Sequence, residues 1–246
     1  MKILVCISKT PDTTSKIAFT DGDTKFDENG VQYIVNPYDE WYALVRALEL
    51  KEQNGGEVTT ITVGEATDDS IIRKALAIGA DNAIRVNMAS TDAYSTAFQI
   101  AEYAKANAFD IVFTGKETIN YNGSQMAGLI SEIMDLPYVS IATKLEMNGN
   151  TATIHREIVG GDEIIEVNTP FVLSAAKGMA EQRIPNMRGI MQARTKPLTV
   201  IEPVTCDNLT TYESYSLPEV KSECKYIDAD NMDELVALLH NEAKVI

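Results

Sequence analysis

Residues 110–134 read Asp110-Ile-Val-Phe-Thr114-Gly-Lys-Glu-Thr-Ile-Asn-Tyr-Asn-Gly-Ser-Gln125-Met-Ala-Gly-Leu-Ile-Ser-Glu-Ile-Met134. A short apolar run, a loop rich in Gly, Ser and Asn, and a helical pattern from Ser124 to Met134 follow one another. Strand, loop, helix is the unit from which a parallel sheet covered by helices is built. Working outward, the unit recurs. Lys2–Ser8, Glu57–Val63, Asn82–Val86 and Asp110–Thr114 are predicted strands, each followed by a loop and a helix, from Met1 to about Leu136. Asn36-Pro37 opens a predicted helix over Tyr38–Gln53: Asn caps free amides, Pro suits the first helical position, and Trp41, Leu44, Val45 and Leu48 form one stripe. Thr67 is the expected cap of a helix that buries Ile72, Ala75 and Leu76 and stops at Gly79. Ala97, Phe98, Ala101 and Ala104 give the buried face of a helix over Tyr94–Asn107.

After Asp135-Leu-Pro137 the pattern changes to antiparallel strands. Tyr138–Glu146, Thr151–Val159 and Glu163–Asn168 are joined by Asn148-Gly149 and Gly160-Gly161, both tight-turn signals, and Phe171–Ala175 is one more buried strand. The expected architecture is therefore α/β: a parallel sheet with helices on both faces, with an antiparallel β-hairpin extension, over residues 1–202. A C-terminal arm over 203–246 follows, polar for about 30 residues and ending in a helix from about Met232 to Glu242. So long a polar segment is expected to lie along another surface, such as a partner subunit.

Charge narrows the partners. The 246 residues carry 36 acids against 21 Lys and Arg, a net charge of −15, which argues against nucleic acid or an anionic membrane as partner. That charge is uneven: Lys177 to Pro197 is +4, and the stretch beyond Pro203 is −6. There is no apolar run of transmembrane length and no signal peptide pattern at the start, so a cytoplasmic location is expected. Cys6, Cys206 and Cys224 are too widely spaced for a CxxC site, and two histidines, His155 and His240, leave most His-based metal centres without ligands. No GxSxG, HExxH or nucleophile relay is present, so no catalytic residue is assigned. Cys6 is expected as a buried strand residue.

The chemistry points to strand ends. In open α/β sheets, phosphates and nucleotides bind where strands feed helix N-termini, through free amides and the helix dipole. Three such loops are expected on one sheet edge: the Thr114-Gly115-Lys116 segment running to Gln125, Asn36-Pro37-Tyr38-Asp39, and Val63-Gly64. Each can equally be a plain capped loop, since neither GxxxxGK[ST] nor GxGxxG is present.

Taken in order, KILVCISKTPDT, VNPYDEWYALVRALELKE, ITVGEATDDSIIRKALAIGAD, TGKETINYNGSQ, HREIVGG and IPNMRGIMQARTKP resemble the beta subunits of the electron transfer flavoproteins, over essentially the whole chain. The resemblance implies an α/β fold of the adenine-nucleotide-binding type and an electron carrier, with no bond-making chemistry of its own, in a heterodimer with an alpha subunit. It implies one redox-active FAD held mostly by alpha, and a second nucleotide in beta: a structural AMP in conventional members, or a second FAD in members that bifurcate electrons from NADH. Carried over, the beta-site contacts are Cys6, Asn36, Pro37, Tyr38, Asp39, Val63 and the loop Thr118 to Leu129, including Ile119, Asn120, Asn122, Gly123, Ser124, Gln125 and Met126. Where conventional members read Ala-Ile-Asp-Asp-Asp-x-Asn-Gln-Thr-Gly-Gln, this chain reads Thr118-Ile-Asn-Tyr-Asn-Gly-Ser-Gln-Met-Ala-Gly128, so the acidic run is gone and Met126-Ala127 replaces Thr-Gly. Thr91-Asp92-Ala-Tyr-Ser-Thr96 is similar to the Asp-Thr-x-Ala-Thr segment of bifurcating members. The family's recognition loop, which docks on acyl-CoA dehydrogenases through a leucine anchor, maps onto Met179-Ala-Glu-Gln-Arg-Ile184; Met179 takes the anchor position, with Glu181 and Arg183 matching. Arg183 is expected either near the edge of the alpha-bound FAD or in a surface salt bridge. From a different class, the alternative is a standalone adenine-nucleotide-binding regulator.

Overall fold

In a computed structural model, residues 1–221 and 223–246 are described. The chain runs through β1 (Lys2–Cys6), β2 (Lys9–Pro11), β3 (Phe19–Thr20), β4 (Lys25–Phe26), β5 (Tyr33–Val35), α1 (Asp39–Asn54), β6 (Glu57–Gly64) and α2 (Asp69–Ile78). It continues through β7 (Asn82–Asn87), α3 (Ala93–Asn107), β8 (Ile111–Gly115), α4 (Met126–Met134), β9 (Tyr138–Asn148), β10 (Thr151–Ile158), β11 (Gly161–Asn168) and β12 (Phe171–Ala175). Then come α5 (Met187–Ala193), β13 (Leu198–Ile201) and α6 (Met232–Leu238). Two units form: Met1–Lys16 with Asp27–Glu213, and Ile17–Phe26 with Ser214–Ile246.

In the larger unit a nine-stranded sheet has the order β11-β10-β9-β12-β8-β1-β6-β7-β13. The seven strands from β9 to β13 in that order are parallel; only the β9–β10–β11 meander is antiparallel. Central strands read as unbroken apolar runs because helices cover both faces. Strand alternation sorts β1: Ile3 and Val5 face a core shared with Leu44, Leu48, Ile72 and Leu76 of α1 and α2. Leu4 and Cys6 face the opposite core, with Ile100 and Ala101 of α3 and Ile130 of α4. Each fully buried aliphatic side chain stabilises by about 1.5–3 kcal/mol. The α2 stripe and its stop are as expected: Ile72, Ala75 and Leu76 are buried, and Gly79 ends the helix at φ 154°, where a Cβ would stand 2.8 Å from a methyl of Leu48.

Several local expectations are corrected. Asn36 does not cap α1, whose N-cap is Tyr38 without a side-chain bond; its amide instead donates to Glu117 O at 2.7 Å. A turn of 3-10 helix, Ala66–Asp68, precedes α2, and Thr67 bonds the Asp68 carboxylate rather than capping. The antiparallel extension is as expected and joins the main sheet, since β9 pairs in parallel with β12. Where β9 meets β12 and β10 the register shifts, and within this bulge Ile141 has φ 55°. For a β-branched residue that left-handed conformation costs about 1–3 kcal/mol.

Residues 203–213, expected as the start of the arm, belong to the larger unit. The Gln99 carboxamide on α3 takes Val204 N at 2.7 Å and donates to Val204 O at 2.6 Å. Asp92 caps α3 at Ser95 N (3.0 Å) and accepts from Leu209 N (3.3 Å) and the Thr210 hydroxyl. Within the smaller unit, β3 and β4 form a two-stranded hairpin, Phe19 stacks on Tyr215 at 5.1 Å, and Tyr215 N donates to Asp23 O at 2.7 Å. α6 runs on as a π-helical turn over Leu239–Ala243. Among the described residues no helix is long and apolar enough to cross a membrane.

Candidate functional site

From β1 the chain adds β6 and β7 on one side, then returns to place β8 and β12 on the other. The order reverses between β1 and β8, and the crevice beyond the carboxyl ends of such strands is where open α/β sheets take ligands. Three loops close around it. Ser8, just past β1, donates its N–H and hydroxyl to the Glu40 carboxylate at 2.7 and 2.6 Å. Glu117, past β8, is held twice: its carbonyl accepts from Asn36, and its N–H donates to Asp39 at 3.2 Å. Gly115 permits this approach, because a Cβ there would lie 2.9 Å from Glu40 Cγ and 3.0 Å from Glu40 N.

Two buried acids therefore stand at the start of α1. Burial raises the Glu40 carboxyl to about 7, against the opposing pull of the Ser8 bonds, and burial likewise raises Asp39. Burial and the nearby Glu40 push the Cys6 thiol up, so it behaves as a small apolar group and not as a thiolate. Asn36 is fully buried, and its Oδ1 has no hydrogen-bond partner among the described residues. A buried acceptor left so costs about 1–3 kcal/mol unless a ligand N–H reaches it. α4 starts without a side-chain cap at Gln125 and without an acid in its first turn, leaving its amides able to receive an anionic group.

The sequence-derived residues divide by place. Cys6 and Val63 are buried in strands β1 and β6, and Asn36, Pro37, Tyr38 and Asp39 lead into α1. Thr118, Ile119, Asn120, Asn122, Gly123, Ser124 and Gln125 form the β8–α4 loop, with Tyr121 stacked on Tyr212 at 5.1 Å and Met126 opening α4. Asp92, singled out for its similarity to a nucleotide segment, is occupied as a cap and as the holder of Leu209 and Thr210.

The docking segment differs from expectation. Met179 is 4 % exposed and belongs to the buried core, so it is not an exposed anchor. Its neighbours carry the exposure: Ile184 is 84 % exposed and Met187 73 %. Arg183 forms the surface salt bridge, bidentate to Glu52 at 2.6 and 3.1 Å, and Glu181 is exposed. Gln182 donates to Pro37 O at 2.6 Å, tying this segment to the loop that leads into α1. Among the described residues Lys177, Arg188 and Arg194 make no ion pair.

One buried group was missed. Arg85 in β7 donates to Gly64 O at 3.0 Å and Asn87 Oδ1 at 2.8 Å and pairs with Asp69 at 2.8 Å, joining the end of β6 to the start of α2. A cation inside the apolar run Ala83-Ile84-Arg85-Val86 was the available signal.

A family model described as "Electron transfer flavoprotein domain" matches residues 23–205. The chain is 36 % identical, over the full length of both, to a protein named electron transfer flavoprotein subunit beta in Bacillus subtilis. It is 34 % identical to a protein named FixA in Sinorhizobium fredii, across 72 % of this chain and 66 % of that one. It is 28 % identical to the caffeyl-CoA reductase-Etf complex subunit CarD of Acetobacterium woodii, across 99 % of this chain and 98 % of that one.

Proposed function

From the premise that this chain belongs to the electron transfer flavoprotein family, on its beta-subunit side, we propose that it works in a heterodimer with an alpha subunit and carries electrons from an acyl-CoA dehydrogenase-type partner. The redox chemistry is supplied by an FAD shared with alpha, and the crevice between β1 and β8 holds an AMP of structural role. The observation that carries the nucleotide reading is the buried, unpartnered Asn36 Oδ1, fixed by its own amide to Glu117 at the point where the three loops meet. An adenine amino group can donate to such an oxygen, and the start of α4 can take the phosphate. The similarity of Thr91–Thr96 to bifurcating members favours a second reading, in which FAD fills the beta site.

Acid extraction of the purified heterodimer tests this: one FAD and one AMP per complex is the expected yield. Two FAD would replace AMP by the second reading, and no second nucleotide would overturn both.

Docking is expected to rely on Ile184 and Met187 within a rim of Lys177, Arg188 and Arg194, where charge steers encounter and a few apolar groups supply contact. Ile184→Asp should slow electron transfer from the dehydrogenase about tenfold with nucleotide content intact. Met179→Ala should instead lower stability, by about 2–3 kcal/mol, as a buried methionine does. Equal transfer rates in wild type and Ile184→Asp would remove Ile184 from the contact.

A further inference from the structure

Residues 203–213 form neither strand nor helix, yet their path is fixed. They leave β13 at the edge of the sheet, pass the start of α3 and end on the loop that leads into α4. Along the way the Gln99 carboxamide holds Val204 by both main-chain groups, the Asn208 carboxamide donates to the Thr91 hydroxyl at 3.1 Å, and Asp92 accepts from Leu209 and Thr210. Just beyond, Tyr212 stacks on Tyr121 with the ring planes 22° apart.

The two kinds of attachment differ in strength. Gln99 and Asp92 are buried, and one of them is charged, so water competes little for the bonds they accept. The tyrosine rings are both half-exposed, and a stacked pair shifts an opening equilibrium by only about two- to tenfold. Such an edge opens and closes while the rest of the segment stays in place. Tyr121 stands on the loop between Glu117, whose main chain is bound to Asn36 and Asp39, and the first turn of α4. Past Tyr121 the loop has little packing at its tip: a Cβ on Gly123 would meet open space. The loop is thus fixed at its two ends and restrained between them by the ring of Tyr212. Residues 203–213 bring Asp207 and Glu213 and no Lys or Arg, so they are unfit to hold a phosphate. What they offer is a hold on the loop.

We infer that residues 203–213 are a strap and the Tyr121–Tyr212 stack is its latch: a nucleotide enters or leaves the crevice between β1 and β8 only when the rings part and the β8–α4 loop swings aside. The inference rests on the nucleotide reading above. A latch closed in both the free and the loaded protein slows entry and exit by the same factor and leaves affinity unchanged, whereas a contact with the ligand changes exit alone. To test this, labelled AMP, or labelled FAD where extraction yields two FAD, is loaded into the beta site of the heterodimer and chased with the unlabelled nucleotide. Tyr212→Ala should speed loading and release alike, by about five- to tenfold, at unchanged affinity, and Tyr212→Phe, which keeps the ring, should match wild type. A second variant holds the latch shut. Tyr121→Cys with Tyr212→Cys, in a chain that also carries Cys206→Ser and Cys224→Ser so that buried Cys6 is the one native thiol left, is joined by a cleavable bismaleimide. Release should stop, and resume on cleavage. Release at the wild-type rate from Tyr212→Ala, or release undisturbed by the cross-link, overturns the latch and leaves the crevice reading standing. Faster release with unchanged loading makes Tyr212 a ligand contact and overturns the gate. A wild-type complex that neither yields nor takes up a nucleotide in beta overturns the functional reading, and the latch with it.

Discussion

Glu40→Gln should flatten the dependence of stability on pH between about 4.5 and 7. The carboxyl of Glu40 lies in the buried start of α1, and burial lifts it from its ordinary 4.5 to about 7. A folded state whose carboxyl titrates above its unfolded value binds the proton more tightly, so this contribution is complete below 4.5 and is lost as pH rises through 7. At about 1.4 kcal/mol per pH unit, the loss amounts to roughly 3 kcal/mol. Glutamine is neutral throughout and still offers one oxygen to Ser8, which donates twice to the carboxylate. Losing the second bond costs about 1 kcal/mol. The variant should therefore be less stable than wild type by about 1 kcal/mol at pH 4, close to it at pH 5, and more stable by about 2 kcal/mol at pH 8. Asp39, also raised by burial, leaves a residual slope in the variant. Urea midpoints of the heterodimer from pH 4 to 9 measure this, and parallel profiles would refute it.

Asp92→Ala should cost about 2–4 kcal/mol and release residues 203–213 from α3. The cap alone is worth about 1 kcal/mol, and the Leu209 N–H and Thr210 hydroxyl lose their acceptor as well. Burial raises the Asp92 carboxyl, but the bonds from Thr210, Ser95 and Leu209 outweigh it and hold the group below its ordinary 3.8. A depressed carboxyl stabilises above 3.8 and loses that effect only as pH falls further, so the attachment should hold at pH 5 and loosen below 4. Amide exchange in 203–213 reports it: protection should fall in Asp92→Ala and stay near wild type in Asp92→Asn, which retains an oxygen for the cap. Unaltered protection in the alanine variant would show that Gln99 holds the segment by itself.

Much of the sheet could be read from the chain because its strands are apolar on both faces. Phe171–Ala175 was delimited to the residue, and the α2 stripe and its glycine stop were visible for the same local reason. What escaped was set by contacts distant in sequence. Asn36 has every local mark of a helix cap, yet its partner is 81 residues away. Leu198–Ile201 is a four-residue strand, too short for a period, and owes its existence to pairing with β7. α5, in a stretch marked in sequence by its charge and by the resemblance but by no helical period, packs against α2, where Gly189 could not carry a Cβ without meeting Ala77 O at 2.5 Å. Met179 takes the anchor position only through the resemblance, which aligns residues without regard to burial; in the fold the core claims it. Of the candidate site, the loops were legible as loops, whereas the bulge at Ile141 in the sheet beside it was not, because a left-handed isoleucine leaves no mark in the pattern of apolar residues.

The clasp of Gln99 on residue 204 touches only main chain, one N–H and one C=O. Every amino acid but proline offers both groups. The position it grips is thus free to drift in evolution, and the residues beyond it can be rewritten to follow a changing partner while their path onto the sheet stays the same. What must be inherited unchanged is a pair of side chains on α3 and its cap, Gln99 and Asp92, and not the residue that stands at 204.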